Sequence, residues 1–207
     1  MFILHKIHSI EIFIYGVLAM EIKKNRKIEI ENQTEELFKE VGYDYNSNSN
    51  IAIDIIYIVK KLGFKVGSAL LNNDNDDGFI IVQEGKSEIL GIKTDKLIGV
   101  NSNRNLKWKR FIIAHELAHY KLHYNQESDA GMYAHREHRK GKDNEENEAD
   151  YFAANILMPA DKFKAEYNKI RNRSSNINEC ISELSNLFIV TDKMVERRIS
   201  ELELEMK

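Results

Sequence analysis

Two histidines stand four residues apart in the run His115-Glu116-Leu117-Ala118-His119. On a helix, side chains at that spacing lie nearly above one another, so both imidazoles can reach a single ion. Glu116 lies one step around, beside the open coordination position, where it can take a proton from metal-activated water. The stretch Phe111-Ile112-Ile113-Ala114 ahead of the pair and Tyr120 behind it carry no charge, and no proline interrupts them. Such a helix can be buried on one side and metallated on the other. His123 continues the register by four more residues, but on an unbroken helix it lies about 12 Å along the axis from His115. It cannot share the ion, and it reads as a helix-end or packing histidine.

A zinc peptidase needs a third protein ligand and one open position. His135 and His138 are candidates, although they fall in the charged segment 125–142, which reads as a solvated loop. One of them, or Tyr133, could instead face substrate and stabilise the oxyanion. The other candidate is a helix starting near Asp143. Acidic residues in its first turn suit the helix dipole without any further role. That does not account for Glu146 and Asp150, four apart on one face: one carboxylate could bind zinc while the other holds a metal-bound histidine in place from behind. Ala149, Phe152, Ala153, Ile156 and Leu157 form the apolar stripe that docks this helix on the first. Pro159, the single proline, marks its end.

The segments 110–123 (RFIIAHELAHYKLH) and 146–159 (ENEADYFAANILMP) together closely resemble the ImmA/IrrE family of metallopeptidases. The resemblance covers roughly residues 50–200. It implies a zinc ion held by His115, His119 and Glu146, with Glu116 as general base and Glu148 as the alternative third ligand. Asp150 falls where the family has Asn or Asp. Segment 125–142 departs from the pattern, being rich in His and Arg. The resemblance further implies an endopeptidase that cuts a helix-turn-helix repressor at one site, an anti-repressor of a mobile element or stress response. The competing reading is a non-proteolytic regulatory module that binds a repressor or toxin partner and keeps a structural zinc site. Retention of Glu116 speaks against it, because a structural site has no use for a base.

The elements that must hold these residues follow from pattern and punctuation. A short helix is expected over 34–40, and a second from a cap at Ser49 or Asn50 through Leu62, stopped by Gly63. Strands are expected over 64–70, 79–84, 88–92 and around 97–100, with 72–78 (NNDNDDG) as a turn. That acidic turn lacks the glutamate a calcium loop needs at its twelfth position. After Asn103 the pattern is helical to the end. The order of helix, strands, then helices argues an α+β fold: a small antiparallel or mixed sheet on a zincin-like helical core. Residues 21–170 form the peptidase domain on this reading, and 171–207 a helical segment of two amphipathic helices resembling a helix-turn-helix.

Thirty basic residues against thirty-three acidic ones, a net charge of -3, give no overall field for nucleic acid. Arg197 and Arg198 sit on the second helix-turn-helix-like helix, but Glu196, Glu201, Glu203 and Glu205 cancel them, so direct DNA binding is not expected. The lone cysteine, Cys180, excludes an internal disulfide and a thiolate-rich zinc site, and fits a reducing, cytoplasmic setting. Residues 1–20 are an apolar extension broken by Lys6 and Glu11. Its longest run free of charge and histidine, 12–20, is too short to cross a bilayer, which takes about 20 residues. It reads as a docked strand or helix, as a leader upstream of a start at Met20, or as a signal peptide compromised by Glu11.

Overall fold

The computed structural model describes residues 22–205 apart from 48–49, 72–75, 84, 86–87, 126–131 and 139–143, with backbone alone at 76 and 132–138. The extension 1–20, most of the acidic turn and the helix start expected near Asp143 lie outside the described residues.

Helix α1 spans Lys24–Glu40, and α2 spans Ile55–Lys61. Strands β1 (Lys65–Ala69), β2 (Asp76–Gln83) and β3 (Lys96–Asn101) follow, then α3 (Leu106–Leu122), β4 (Met132–His138) and α4 (Asn144–Leu157). Three more helices close the chain: α5 (Ala160–Arg171), α6 (Ile177–Phe188) and α7 (Asp192–Glu201). The fold is α+β, as expected. The sheet is mixed, in the order β1-β3-β2-β4: β1 runs parallel to β3, and the other two pairings are antiparallel. β3 sits between β1 and β2. Its apolar residues Leu97, Ile98 and Val100 are buried, as an inner strand requires.

Helix α3 packs against β2 and β3, while α4 packs against α3 and α1. The predicted stripe of α4 is where the burial falls: Ala149, Phe152, Ala153, Ile156 and Leu157 are each fully buried. At ~2 kcal/mol for each large apolar side chain taken out of water, burial of this stripe favours docking of α4 on α3 and α1. Pro159 ends the run and stands as N-cap of α5. The last two helices join the same core through Cys180, Leu184, Phe188, Val195 and Ile199. Among the described residues no helix is long and apolar enough to cross a membrane.

Several elements differ from expectation. The first helix begins ten residues earlier than residue 34, because Ile30, Thr34, Leu37 and Phe38 form one narrow buried stripe that carries it. The cap of α2 is Asp54, whose carboxylate accepts from the Tyr57 backbone N–H, so Asn50 does not serve; Ser49 lies outside the described residues. Segment 88–92 is no strand. Leu90 and Gly91 both have positive φ, which turns the chain and leaves a single bridge between Ile89 and Ile92. Residues 76–78 belong to β2 instead of the acidic turn. Finally, the helical pattern is interrupted after α3, because part of the expected solvated loop 125–142 is the strand β4, paired with β2 at the edge of the sheet.

Candidate metal centre

Asn105 starts α3 by accepting the Trp108 backbone N–H on its side chain. Six residues on, the helix is enclosed: every residue from Phe111 to His119 is buried. Apolar side chains explain most of that burial. They do not explain His115, Glu116 and His119, which are 1%, 0% and 0% exposed. Polar groups are buried at this depth only where they have partners.

The two histidines find theirs on α4, whose first turn carries Glu145 and Glu146. Glu146 reaches across the α3–α4 seam with both carboxylate oxygens. Oε2 lies 3.2 Å from His115 Nε2, and Oε1 lies 3.3 Å from His119 Nε2. The two Nε2 atoms are 3.1 Å apart. Three donors around a tetrahedral zinc, with bonds of about 2.0–2.1 Å, stand about 3.3 Å from one another. Two imidazoles and one carboxylate at these separations therefore fit zinc by donor type and by spacing, and the group is the one metal-compatible cluster found among the described residues.

Each histidine is also held on its far side. His115 Nδ1 lies 3.1 Å from Asp150 Oδ1, and Arg197 donates from Nη1 to Asp150 Oδ2 at 2.8 Å. His119 Nδ1 lies 3.0 Å from His123 Nδ1. His123 Nε2 faces Glu148 Oε2 at 3.3 Å, and the same oxygen accepts from Arg26 Nη2 at 2.6 Å. Burial pushes the Glu148 carboxyl up, but hydrogen bonds from Arg26 and His123 outweigh it and hold it below the usual carboxylate range. The bond to Glu148 in turn holds the Arg26 guanidinium above its ordinary value.

The roof over α3 is β2. A Cβ at Gly78 would meet Ile112 Cγ2 at 2.3 Å and Glu116 Oε1 at 3.3 Å, so only glycine lets the strand come this close to Glu116. Asp77, beside it, is fully buried and bonded by Arg104.

The structure thus brings His115, His119, Glu146 and Asp150 together, with Glu116 on the same helix. Glu148, the alternative ligand, faces His123 and Arg26 instead of the ligand cluster. Tyr133 and His135 stand on β4 opposite Val82 and Ile80, and His138 stands opposite Asp76 across an irregularity in the register. Sequence reasoning missed Gly78, Arg26, the bond of Arg197 to Asp150 and the contact that His123 makes. Only His123 left a usable signal, the spacing of four from His119.

A peptidase family model, described as the IrrE N-terminal-like domain, matches residues 59–200. No curated protein matches the chain.

Proposed function

The chain belongs to the peptidase family of the IrrE N-terminal-like domain, and from that premise we propose that it is a zinc-dependent endopeptidase. The observation that carries the reading is the meeting of His115, His119 and Glu146 at 3.1–3.3 Å, with a buried glutamate next in sequence to the first histidine. When bound there, zinc would polarise a carbonyl and lower the pKa of water towards ~7. The two imidazoles and the Glu146 carboxylate would hold the ion. Glu116 accepts the proton of the attacking water and passes it to the leaving amine. Asp150 keeps His115 in the orientation that binding demands.

The substrate we propose is a helix-turn-helix transcriptional repressor, cut at one site to relieve repression, in a cytoplasmic setting. This rests on the family resemblance. Tyr133, His135 and His138 are proposed to meet the substrate, since β4 is an edge strand and approaches α3.

The test is zinc content by elemental analysis together with cleavage of a co-expressed repressor. Wild type should hold about one zinc per chain and cut the repressor once. Glu116→Gln should keep the zinc and lose cleavage by about 10²–10⁴-fold. Glu146→Ala should lose the zinc. Normal cleavage by Glu116→Gln removes the proposed base. Stable zinc and a repressor bound intact would instead establish the non-proteolytic binding module.

A further inference from the structure

A metal that takes His119 through Nε2 leaves the remaining ring proton on Nδ1. That proton points at His123 Nδ1, 3.0 Å away. His123 can accept it only if its own proton sits on Nε2, which then donates to Glu148 Oε2 at 3.3 Å. The carboxylate end is closed by Arg26, which donates at 2.6 Å to the same oxygen. Each nitrogen in this sequence has one role, donor or acceptor, and a single assignment of protons satisfies all of them. His123 is 9% exposed and Glu148 17% exposed in their side chains, so water competes weakly for the bonds. Arg26 lies on α1, outside residues 59–200 that match the peptidase family.

We propose that His123, Glu148 and Arg26 are positioning residues for the metal centre, a relay that fixes the ring and tautomer of His119 from behind. The proposal rests on the zinc reading above. It mirrors, with a histidine inserted, what Asp150 and Arg197 do behind His115. His123 is too far along α3 to touch an ion held by His115. Its place at the helix C-cap lets it reach the outer nitrogen of His119 instead. Through it, the carboxylate of α4 and the guanidinium of α1 raise the basicity of a ligand that neither contacts.

The experiment titrates zinc into the metal-free full-length chain against a chromophoric chelator, and records the visible absorption of the cobalt(II)-substituted protein. His123→Ala and Glu148→Ala should each weaken zinc binding about 10–100-fold and alter the cobalt band. Glu148→Gln keeps an oxygen that accepts from His123, so it should recover most of what Glu148→Ala loses. The double variant should bind no more weakly than His123→Ala alone, since a relay breaks only once. Arg26→Ala should cost a few-fold. Thermal unfolding of each metal-free variant separates a lost fold from a lost relay, and Glu148→Gln serves where an alanine variant does not fold. Affinities within twofold of wild type with an unchanged cobalt band overturn the relay, as do losses that simply add in the double variant. A wild type that binds no zinc overturns the metal reading and the relay with it.

Discussion

An imidazole offers a metal one nitrogen and the protein the other, and the protein side decides how well the ring is aimed. His115 Nδ1 lies against Asp150 Oδ1, and Asp150 accepts from Arg197 at 2.8 Å, so on the proposed zinc reading Asp150 would aim the ring. Asp150→Ala removes the partner of His115 Nδ1 and leaves Arg197 held by Glu201 alone. Zinc affinity should fall about 10–100-fold, whereas Asp150→Asn, which retains an acceptor oxygen, should lose far less. Chelator competition measures both, and equal affinities for the two variants would show that Asp150 does not orient the ring. The pairing of Glu146 with Asp150 could be read from their spacing of four, as could His115 with His119, because neighbours on one helix are fixed by helical geometry. His123 passed the same spacing test but was judged only by its distance to the ion. The contact it makes is with the ligand, and no axial distance reveals that.

Among the elements, helices α3 and α4 were recoverable because each carries a strong local pattern: an enclosed apolar run around the histidines, and an apolar stripe ended by proline. β4 was not. Its residues Met-Tyr-Ala-His-Arg-Glu-His carry no apolar alternation, and an edge strand is held by its ladder to β2 more than by its side chains. α1 was seen only from residue 34 because Lys24 to Gln33 offers just two apolar residues, Ile28 and Ile30, one of them exposed. The approach of β2 to α3 at Gly78 is a tertiary fact with no local sign beyond the glycine itself. Gly78→Ala would place a methyl 2.3 Å from Ile112 Cγ2 and 3.3 Å from Glu116 Oε1, so strand and helix must separate. Overpacking of this kind costs about 1–3 kcal/mol of stability. Urea unfolding should show that loss, and turnover should fall more than zinc affinity, because the crowded group is the proposed base and not a ligand. Unchanged stability and turnover would mean that the strand yields freely and that its closeness to Glu116 has no functional weight.

Taken together, the helices after residue 171 belong to the same core as the candidate metal centre. Arg198 is fully buried and donates to Met158 O at 3.0 Å and to Asn155 Oδ1 at 2.7 Å, which ties α7 to the end of α4. From the other side, Arg110 on α3 donates to Ile189 O at 3.1 Å, between α6 and α7. The resemblance to a helix-turn-helix placed Arg197 and Arg198 on the helix that would enter a DNA groove. Arg198 is buried against the end of α4, and Arg197, although partly exposed, is engaged by Asp150 and Glu201. Phosphate binding needs basic groups free to displace counterions, and on this helix glutamates flank the two that are already engaged. Arg197→Ala should therefore weaken zinc binding several-fold by loosening Asp150, and wild type should show no affinity for duplex DNA that falls with added salt. Fluorescence anisotropy with a labelled duplex at about 50 and 200 mM salt, run beside chelator competition, reads both. A steep salt dependence abolished by Arg197→Ala, with zinc affinity untouched, would return α6 and α7 to a DNA-binding role. A change in zinc affinity alone makes them a clamp on the peptidase centre.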